Sequence, residues 1–210
     1  MNLYELKRVL LSFIYPNRCP FCGKIIKASE FFCKTCLEFD FYANSGDNTY
    51  CCVYNEKSKP LLTKAKENAD GYAISAVARL MLEALIRNNI IHKINVIVPI
   101  PPRKTALKQR GYSFPAFLAR ELAQLSGKKY SLKTLVFVRE IEEQKGLSAA
   151  WREENLKGAF TVGNSAAGAL SEKNVLVIDD VSTTGATLNE AKRVLSEFAG
   201  NVYIASFAKT

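Results

Sequence analysis

Two adjacent acids follow a short apolar run near the carboxyl end of the chain, and both could hold a sugar. Asp179 and Asp180 come directly after the run 175–178. The loop behind them is made of Ser182, Thr183, Thr184, Gly185, Ala186 and Thr187. Two carboxylates can accept hydrogen bonds from the 2- and 3-hydroxyls of a ribose. Backbone N–H groups and hydroxyls at a helix start can hold a phosphate dianion, so the pattern predicts a site for a phosphorylated sugar. The alternative is a capped helix behind a polar turn, with the acids merely exposed.

A cluster of cations follows a second apolar run and suits another anion. Residues 93–112 contain five basic residues and no acid. They are Lys93, Arg103, Lys104, Lys108 and Arg110. Pro101 and Pro102 stiffen the turn after the run, where a cis bond would be compatible with proline. This turn suits a diphosphate, and a nucleic-acid groove over Arg103, Lys104, Lys108 and Arg110 is a compatible alternative.

Four cysteines form two C-x₂-C pairs in the first 36 residues. They are Cys19, Cys22, Cys33 and Cys36. Two such pairs supply the four thiolates of a tetrahedral zinc site, which would stabilise a segment that has few apolar residues. Redox dithiols or buried thiols are the alternative. The adjacent Cys51 and Cys52 point to opposite faces of a strand, which favours a role as small buried side chains.

The composition is that of a folded protein with a basic surface. The 210 residues are 48% hydrophobic and 23% charged, with a net charge of +9 that favours polyanionic partners. We find no secretory signal and no apolar run long enough to cross a membrane. A reducing, cytoplasmic location is therefore expected, with the cysteines free to bind metal.

Strands and helices alternate along most of the chain, which predicts a doubly wound, mostly parallel α/β sheet. We expect helices over 2–14, 71–89, 114–126 and 188–198, and a further helix opening at Ser58 or Thr63. We expect strands over 50–54, 94–100, 135–138, 175–178 and 201–207. Ser113 is the expected N-cap of the helix 114–126. The polar stretch 139–158 is predicted to be a loop or a short helix over the site.

These motifs together resemble the ComF family, whose members are known for a role in natural competence. The segment 175–187 resembles the phosphoribosyl diphosphate (PRPP) motif of type I phosphoribosyltransferases. The resemblance also includes the cysteine pairs, the run 98–103, Arg110-Gly111-Tyr112 and the residues Arg139, Gln144, Leu147, Arg152, Asn155, Gly158, Ala159 and Phe160. It implies two parts, an N-terminal zinc element over residues 1–49 and a phosphoribosyltransferase-like domain over 50–210.

The resemblance also implies how PRPP would bind. Asp179 and Asp180 would hold the ribose hydroxyls, and Thr183 to Thr187 would hold the 5-phosphate. Ser182 would also belong to the PRPP site. Pro102, Arg103 and Lys104 would face the diphosphate, with Mg²⁺ bridging diphosphate and ribose oxygens. The family commonly has Asn-Gln where this chain has Ser113-Phe114. This departure counts against efficient transferase chemistry more than against PRPP binding.

Three functions are compatible with these residues. The first is a competence protein that binds PRPP and single-stranded DNA, working with a DNA channel or helicase at the inner face of the membrane. The second is an active Mg²⁺-dependent phosphoribosyltransferase acting on a nucleobase. The third, a regulator that uses the fold as a sensor, ranks last because no helix-turn-helix pattern is evident. We find no convincing general base and assign no catalytic residue.

Overall fold

The computed structural model describes residues 3–36, 48–139, 154–164 and 166–210. Within these ranges the helices are α1 (Leu3–Ser12), α2 (Ser58–Glu67), α3 (Gly71–Arg87), α4 (Lys104–Arg110), α5 (Phe114–Ser126) and α6 (Ala186–Leu195). The strands are β1 (Asn48–Val53), β2 (Val96–Pro99), β3 (Lys129–Tyr130), β4 (Leu135–Phe137), β5 (Phe160–Val162), β6 (Asn174–Ser182) and β7 (Asn201–Lys209). Five parallel strands form the central sheet, in the order β1-β7-β6-β2-β3.

Strand β6 separates two hydrophobic cores. Leu176 and Ile178 join one core together with side chains from α3 and α5. Val175 and Val177 point the other way and join a second core with side chains from α6 and the antiparallel pair β4–β5. Successive side chains on a strand point to opposite faces, so an entirely apolar run is needed where helices cover both faces. The doubly wound, mostly parallel sheet predicted from the sequence is confirmed.

Side-chain caps fix where two of the helices begin. Asp70 accepts hydrogen bonds from the backbone N–H groups of Tyr72 and Ala73 at the start of α3. The predicted cap Ser113 accepts from the N–H of Ala116 and starts α5 at Phe114. Each cap satisfies N–H groups that have no partner inside the helix. The prediction for Ser113 is confirmed.

Several boundaries differ from the prediction. Strand β6 extends through both acids to Ser182, because β7 is long enough to pair with it that far. Helix α6 begins at Ala186, two residues early, since Gly185 takes a φ of +83° and turns the chain into the helix. A cis bond at Pro101-Pro102, which the sequence allowed, is not formed, because every described peptide bond is trans. Helix α4 and the short strands β3 and β5 were not foreseen.

The remaining predictions have mixed outcomes. Cys51 and Cys52 are buried, as expected for small core side chains. Most of the stretch 139–158 lies outside the described residues. The boundary between residues 49 and 50 stays a prediction. No helix in the described part of the chain is long and apolar enough to cross a membrane.

Candidate functional site

A cleft of about 480 Å³ lies where β2 and β6 end, at the edge of the sheet where ligands bind in open α/β folds. One wall is the end of β6 and the turn into α6, from Asp179 to Leu188. The opposite wall is the loop after β2, including Pro102 and Arg103. The cleft therefore brings together residues of the predicted sugar-phosphate site and of the predicted diphosphate site, which come from separate parts of the sequence.

The two acids both line this cleft at the end of β6. The Asp180 N–H donates to Asp179 Oδ1 at 2.9 Å, and the Val181 N–H donates to Asp180 Oδ1 at 2.9 Å. Lys66 forms an ion pair with Asp180 Oδ2. Burial, and then the neighbouring Asp180 carboxylate, raise the pKa of Asp179 well above its usual range. Each acid thus accepts a backbone N–H at its Oδ1, which fixes its position, and the Oδ2 of Asp180 faces the Lys66 ammonium.

The turn from Ser182 to Thr187 has the features of an anion site. Ser182 Oγ is buried and has no hydrogen-bond partner among the described residues. A side chain added at Gly185 would come within 3.9 Å of that oxygen and 3.4 Å of Asn189 Nδ2. Thr183 and Thr184 are exposed at the mouth of the turn. A buried hydroxyl without a partner costs free energy unless a ligand supplies one, so these residues fit a bound phosphate.

The predicted cations are divided among different surfaces. Arg103 and Arg110 line the cleft with the acids. Lys104 instead lines a neighbouring cleft of about 380 Å³, which shares Arg103 with the first. Lys108 lines neither of these two clefts and is exposed. Lys104 and Lys108 are four residues apart on α4 and therefore share one face of that helix.

Sequence reasoning missed several residues that line the cleft. Lys66 comes from α2, and its contact with Asp180 depends on tertiary packing that the local sequence does not predict. Phe137 and Leu156 are apolar residues that also line the cleft. Glu190 of α6 accepts from the Gly158 N–H at 2.7 Å, which holds the chain near Leu156 in place. These contacts join segments far apart in sequence, so no motif could reveal them.

Ser113 and Phe114, the departure from the family pattern, have structural roles here. Ser113 caps α5, and Phe114 is 1% exposed in the core that contains Leu176 and Ile178. Both also line the cleft. The positions where the family commonly has polar side chains are therefore used for packing and capping in this chain.

The four cysteines predicted to bind zinc lie together. The Sγ atoms of Cys19, Cys22, Cys33 and Cys36 are all within 4.8 Å of one another. With Zn–S bonds of about 2.3 Å, a tetrahedral site needs sulfur atoms at roughly this separation. Gly23 follows the first cysteine pair, and its φ of +74° allows the chain to make a tight turn there. The donor set fits a structural zinc ion with no open position.

The lowered pKa of Cys19 also favours metal binding, because the thiolate is the form that binds a metal. Burial opposes ionisation of Cys19, but hydrogen bonds from the backbone at Cys33, Cys22 and Phe21 outweigh it and lower its pKa to about 7. Burial and the neighbouring thiols raise the pKa of Cys36 to about 12. A bound cation would favour the thiolate at all four positions, because metal binding displaces thiol protons.

A family model for the phosphoribosyl transferase domain matches residues 70–208. The chain belongs to the phosphoribosyl transferase domain family. The match includes the cleft from the loop after β2 to the start of α6. It begins after α2, so both Lys66 and the cysteine cluster lie outside it.

Curated relatives are named as competence proteins or as DNA utilization proteins. The chain is 28% identical to Competence protein F of Haemophilus influenzae over 181 residues, covering 84% of this chain and 77% of that protein. It is 27% identical to Competence protein ComFC of Bacillus subtilis over 201 residues, covering 90% and 75%. It is 26% identical to DNA utilization protein YhgH of Escherichia coli over 184 residues, covering 84% and 77%. These matches confirm the resemblance to the ComF family.

Solved phosphoribosyltransferases are more distant. Adenine phosphoribosyltransferase from Saccharomyces cerevisiae is 13% identical with a TM-score of 0.44, covering 69% of this chain and 72% of that one. Glutamine PRPP amidotransferase from B. subtilis is 20% identical with a TM-score of 0.42, covering 64% of this chain and 26% of that one. Because both TM-scores are below 0.5, the assignment of the fold depends on the sheet and on the family match.

Proposed function

We propose that this member of the phosphoribosyl transferase domain family is a natural-competence protein whose cleft binds PRPP. The observation that carries the proposal is the pairing of Asp179 and Asp180 with the turn that contains the unpartnered Ser182 hydroxyl. The acids suit ribose hydroxyls, and the turn suits the 5-phosphate. The names of the curated relatives support the role in DNA uptake.

Mg²⁺ and Zn²⁺ have different places in this proposal. Mg²⁺ keeps waters and substrate phosphates as ligands, so it would bind with PRPP between the diphosphate and ribose oxygens, near Arg103. Zn²⁺ would be held by Cys19, Cys22, Cys33 and Cys36 and would stabilise the N-terminal segment.

Calorimetric titration tests PRPP binding. In the presence of Mg²⁺, we expect Asp179→Ala and Asp180→Ala each to weaken binding by about 10- to 100-fold, the cost of one or more lost hydrogen bonds involving charged groups. Glu56→Ala is the control, because Glu56 is an exposed acid before α2. Unchanged affinity in both aspartate variants would exclude the acid pair as the ribose site.

We also propose that single-stranded DNA binds along α4, where Arg103, Lys104, Lys108 and Arg110 follow one another within eight residues. Backbone contacts would dominate, so affinity should fall steeply with salt. In anisotropy titrations with an oligonucleotide, we expect Lys104→Ala/Lys108→Ala to reduce the log–log salt slope by about 1.4, or about 0.7 for each lost phosphate contact. The double variant Lys57→Ala/Lys59→Ala removes two exposed lysines at the start of α2 and should leave the slope unchanged. A flat salt titration of the unmodified protein would contradict this mode.

Transferase activity is the second candidate, favoured by the apolar side of the cleft. Phe137 and Leu156 line the cleft and could contact a planar nucleobase. The base nitrogen would displace diphosphate from C1 of the ribose through an oxocarbenium-like state, with Arg103 stabilising the departing charge. A panel of nucleobases incubated with PRPP and Mg²⁺ tests this. Diphosphate release with one base would establish turnover, and its absence across the panel would favour a binding protein.

A further inference from the structure

Lys66 of helix α2 contacts the acid pair, although α2 lies outside the residues that match the family model. Lys66 lies in the last turn of α2, four residues before that region begins. Its ammonium forms an ion pair with Asp180 Oδ2, and it lines the same cleft as the acids. The lysine side chain is 30% exposed and the aspartate side chain 11% exposed. The pair is therefore partly shielded from water and from screening by salt.

Three contacts fix the end of α2 at this point. The Tyr112 hydroxyl donates to the backbone carbonyl of Lys66. Arg110 Nε pairs with Glu67 Oε2 at 3.4 Å. On the side of the cysteine cluster, the Lys64 ammonium donates to the carbonyl of Pro20, between the first two cysteines. The end of α2, and with it Lys66, is thus held by Arg110, by Tyr112 and by the segment that carries the first two cysteines.

The acids need such a cation because their expected ligand is itself an anion. Asp179 and Asp180 are adjacent carboxyls, and their negative charge would repel a phosphorylated sugar and attract a free divalent cation. An ammonium beside Asp180 offsets that charge. Asp180 Oδ2 is buried against Lys66, whereas Oδ1 accepts from the Val181 N–H. A carboxylate oxygen can accept more than one hydrogen bond, so Lys66 can keep its contact with Oδ2 while a ribose hydroxyl donates to Oδ1.

We propose that Lys66 is a built-in counter-cation of the ribose-binding acids, in the place that a divalent cation would otherwise take at Asp180. Two consequences follow. The acid pair should bind free divalent cations poorly, and it should bind a sugar phosphate that lacks diphosphate without added Mg²⁺. The first consequence does not depend on the proposed function, whereas the second rests on it.

The first experiment uses the metal alone. Mn²⁺ binding is measured by electron paramagnetic resonance on zinc-loaded protein. We expect Lys66→Met to bind Mn²⁺ at least about tenfold more tightly than the unmodified protein, because the substitution removes a positive charge from beside the carboxylates. Lys66→Arg should keep the low affinity, and Asp180→Asn in the Lys66→Met background should abolish the gain. Lys59→Met is the matched control, an exposed lysine on the same helix, and should change nothing.

The second experiment uses ribose 5-phosphate, which has the sugar hydroxyls and the phosphate but no diphosphate. In calorimetry, we expect the affinity of the unmodified protein to be the same with and without Mg²⁺. Lys66→Met should bind at least about tenfold more weakly without Mg²⁺, and Mg²⁺ should restore the affinity. Lys66→Arg should behave as the unmodified protein, which excludes a mere folding defect.

The outcomes separate the two ideas. Unchanged Mn²⁺ affinity in Lys66→Met would overturn the role of Lys66. Tighter sugar-phosphate binding in Lys66→Met at every Mg²⁺ concentration would also overturn it, because Lys66 would then obstruct the site. If the unmodified protein binds neither ribose 5-phosphate nor PRPP, the proposed function fails, and the Mn²⁺ titration still decides the role of Lys66.

Discussion

The substitution Gly185→Ala should lower the stability of the protein modestly and weaken ligand binding strongly. Its φ of +83° lies in the left-handed region, and an alanine there would be strained by about 1–2 kcal/mol. For a chain of this size, that corresponds to a fall in Tm of roughly 2–8 °C. The added methyl group would lie 3.9 Å from Ser182 Oγ and 3.4 Å from Asn189 Nδ2, in the turn proposed to receive the phosphate. Losing a hydrogen bond to a charged phosphate should weaken PRPP binding by about 10- to 100-fold.

Gly127→Ala is the matched control for this prediction. Gly127 has a φ of +69° at the end of α5, and an added side chain there would meet nothing within 4 Å. Thermal denaturation should show a similar loss of stability in both variants. Calorimetry with PRPP and Mg²⁺ should show a loss of affinity only in Gly185→Ala. Equal PRPP affinity in the two variants would refute the assignment of the turn after β6 as the 5-phosphate site.

Two further predictions concern the metal centre and the acid pair. Purified protein should contain one zinc per chain, and Cys19→Ser should lower both zinc content and Tm, because a bound metal would stabilise the segment whose Pro20 carbonyl contacts Lys64 of α2. A folded, zinc-free protein with unchanged Tm would contradict this. The raised pKa of Asp179 means that the folded state holds this proton more tightly than the unfolded state. Its contribution to stability is therefore complete below the unfolded pKa of about 3.9 and is lost as pH rises through the folded pKa. Asp179→Asn should stabilise the protein at neutral pH by an amount that shrinks as pH falls towards 4, as measured by Tm across that range; a constant difference would argue against the shift.

The sequence predicts the sheet well where local pattern and burial agree. Val175 to Ile178 form a central strand because an entirely apolar run suits a strand covered on both faces. Ser113 was recognised as a cap because its hydroxyl satisfies N–H groups of its own helix. The segment 175–187 can be compared with the PRPP motif from sequence alone because its acids and its loop are contiguous in the chain.

The parts that could not be predicted depend on distant contacts. Lys66 reaches Asp180 because α2 packs near the loop after α4, and a single lysine in a helix carries no sign of that partner. The cations between residues 103 and 110 were expected on a turn, but Lys104 to Arg110 form a helix that ends at Gly111. This helix separates Lys104 and Lys108 from the cleft that Arg103 and Arg110 line.

The most direct test of the central claim is a crystal structure of the protein with PRPP and Mg²⁺. We predict that the 5-phosphate lies within hydrogen-bond distance of Ser182 Oγ, about 2.5–3.0 Å, and that the ribose hydroxyls donate to Asp179 and Asp180. A structure in which PRPP leaves the Ser182 hydroxyl unpartnered and binds elsewhere, such as the cleft beside Lys104, would contradict the account.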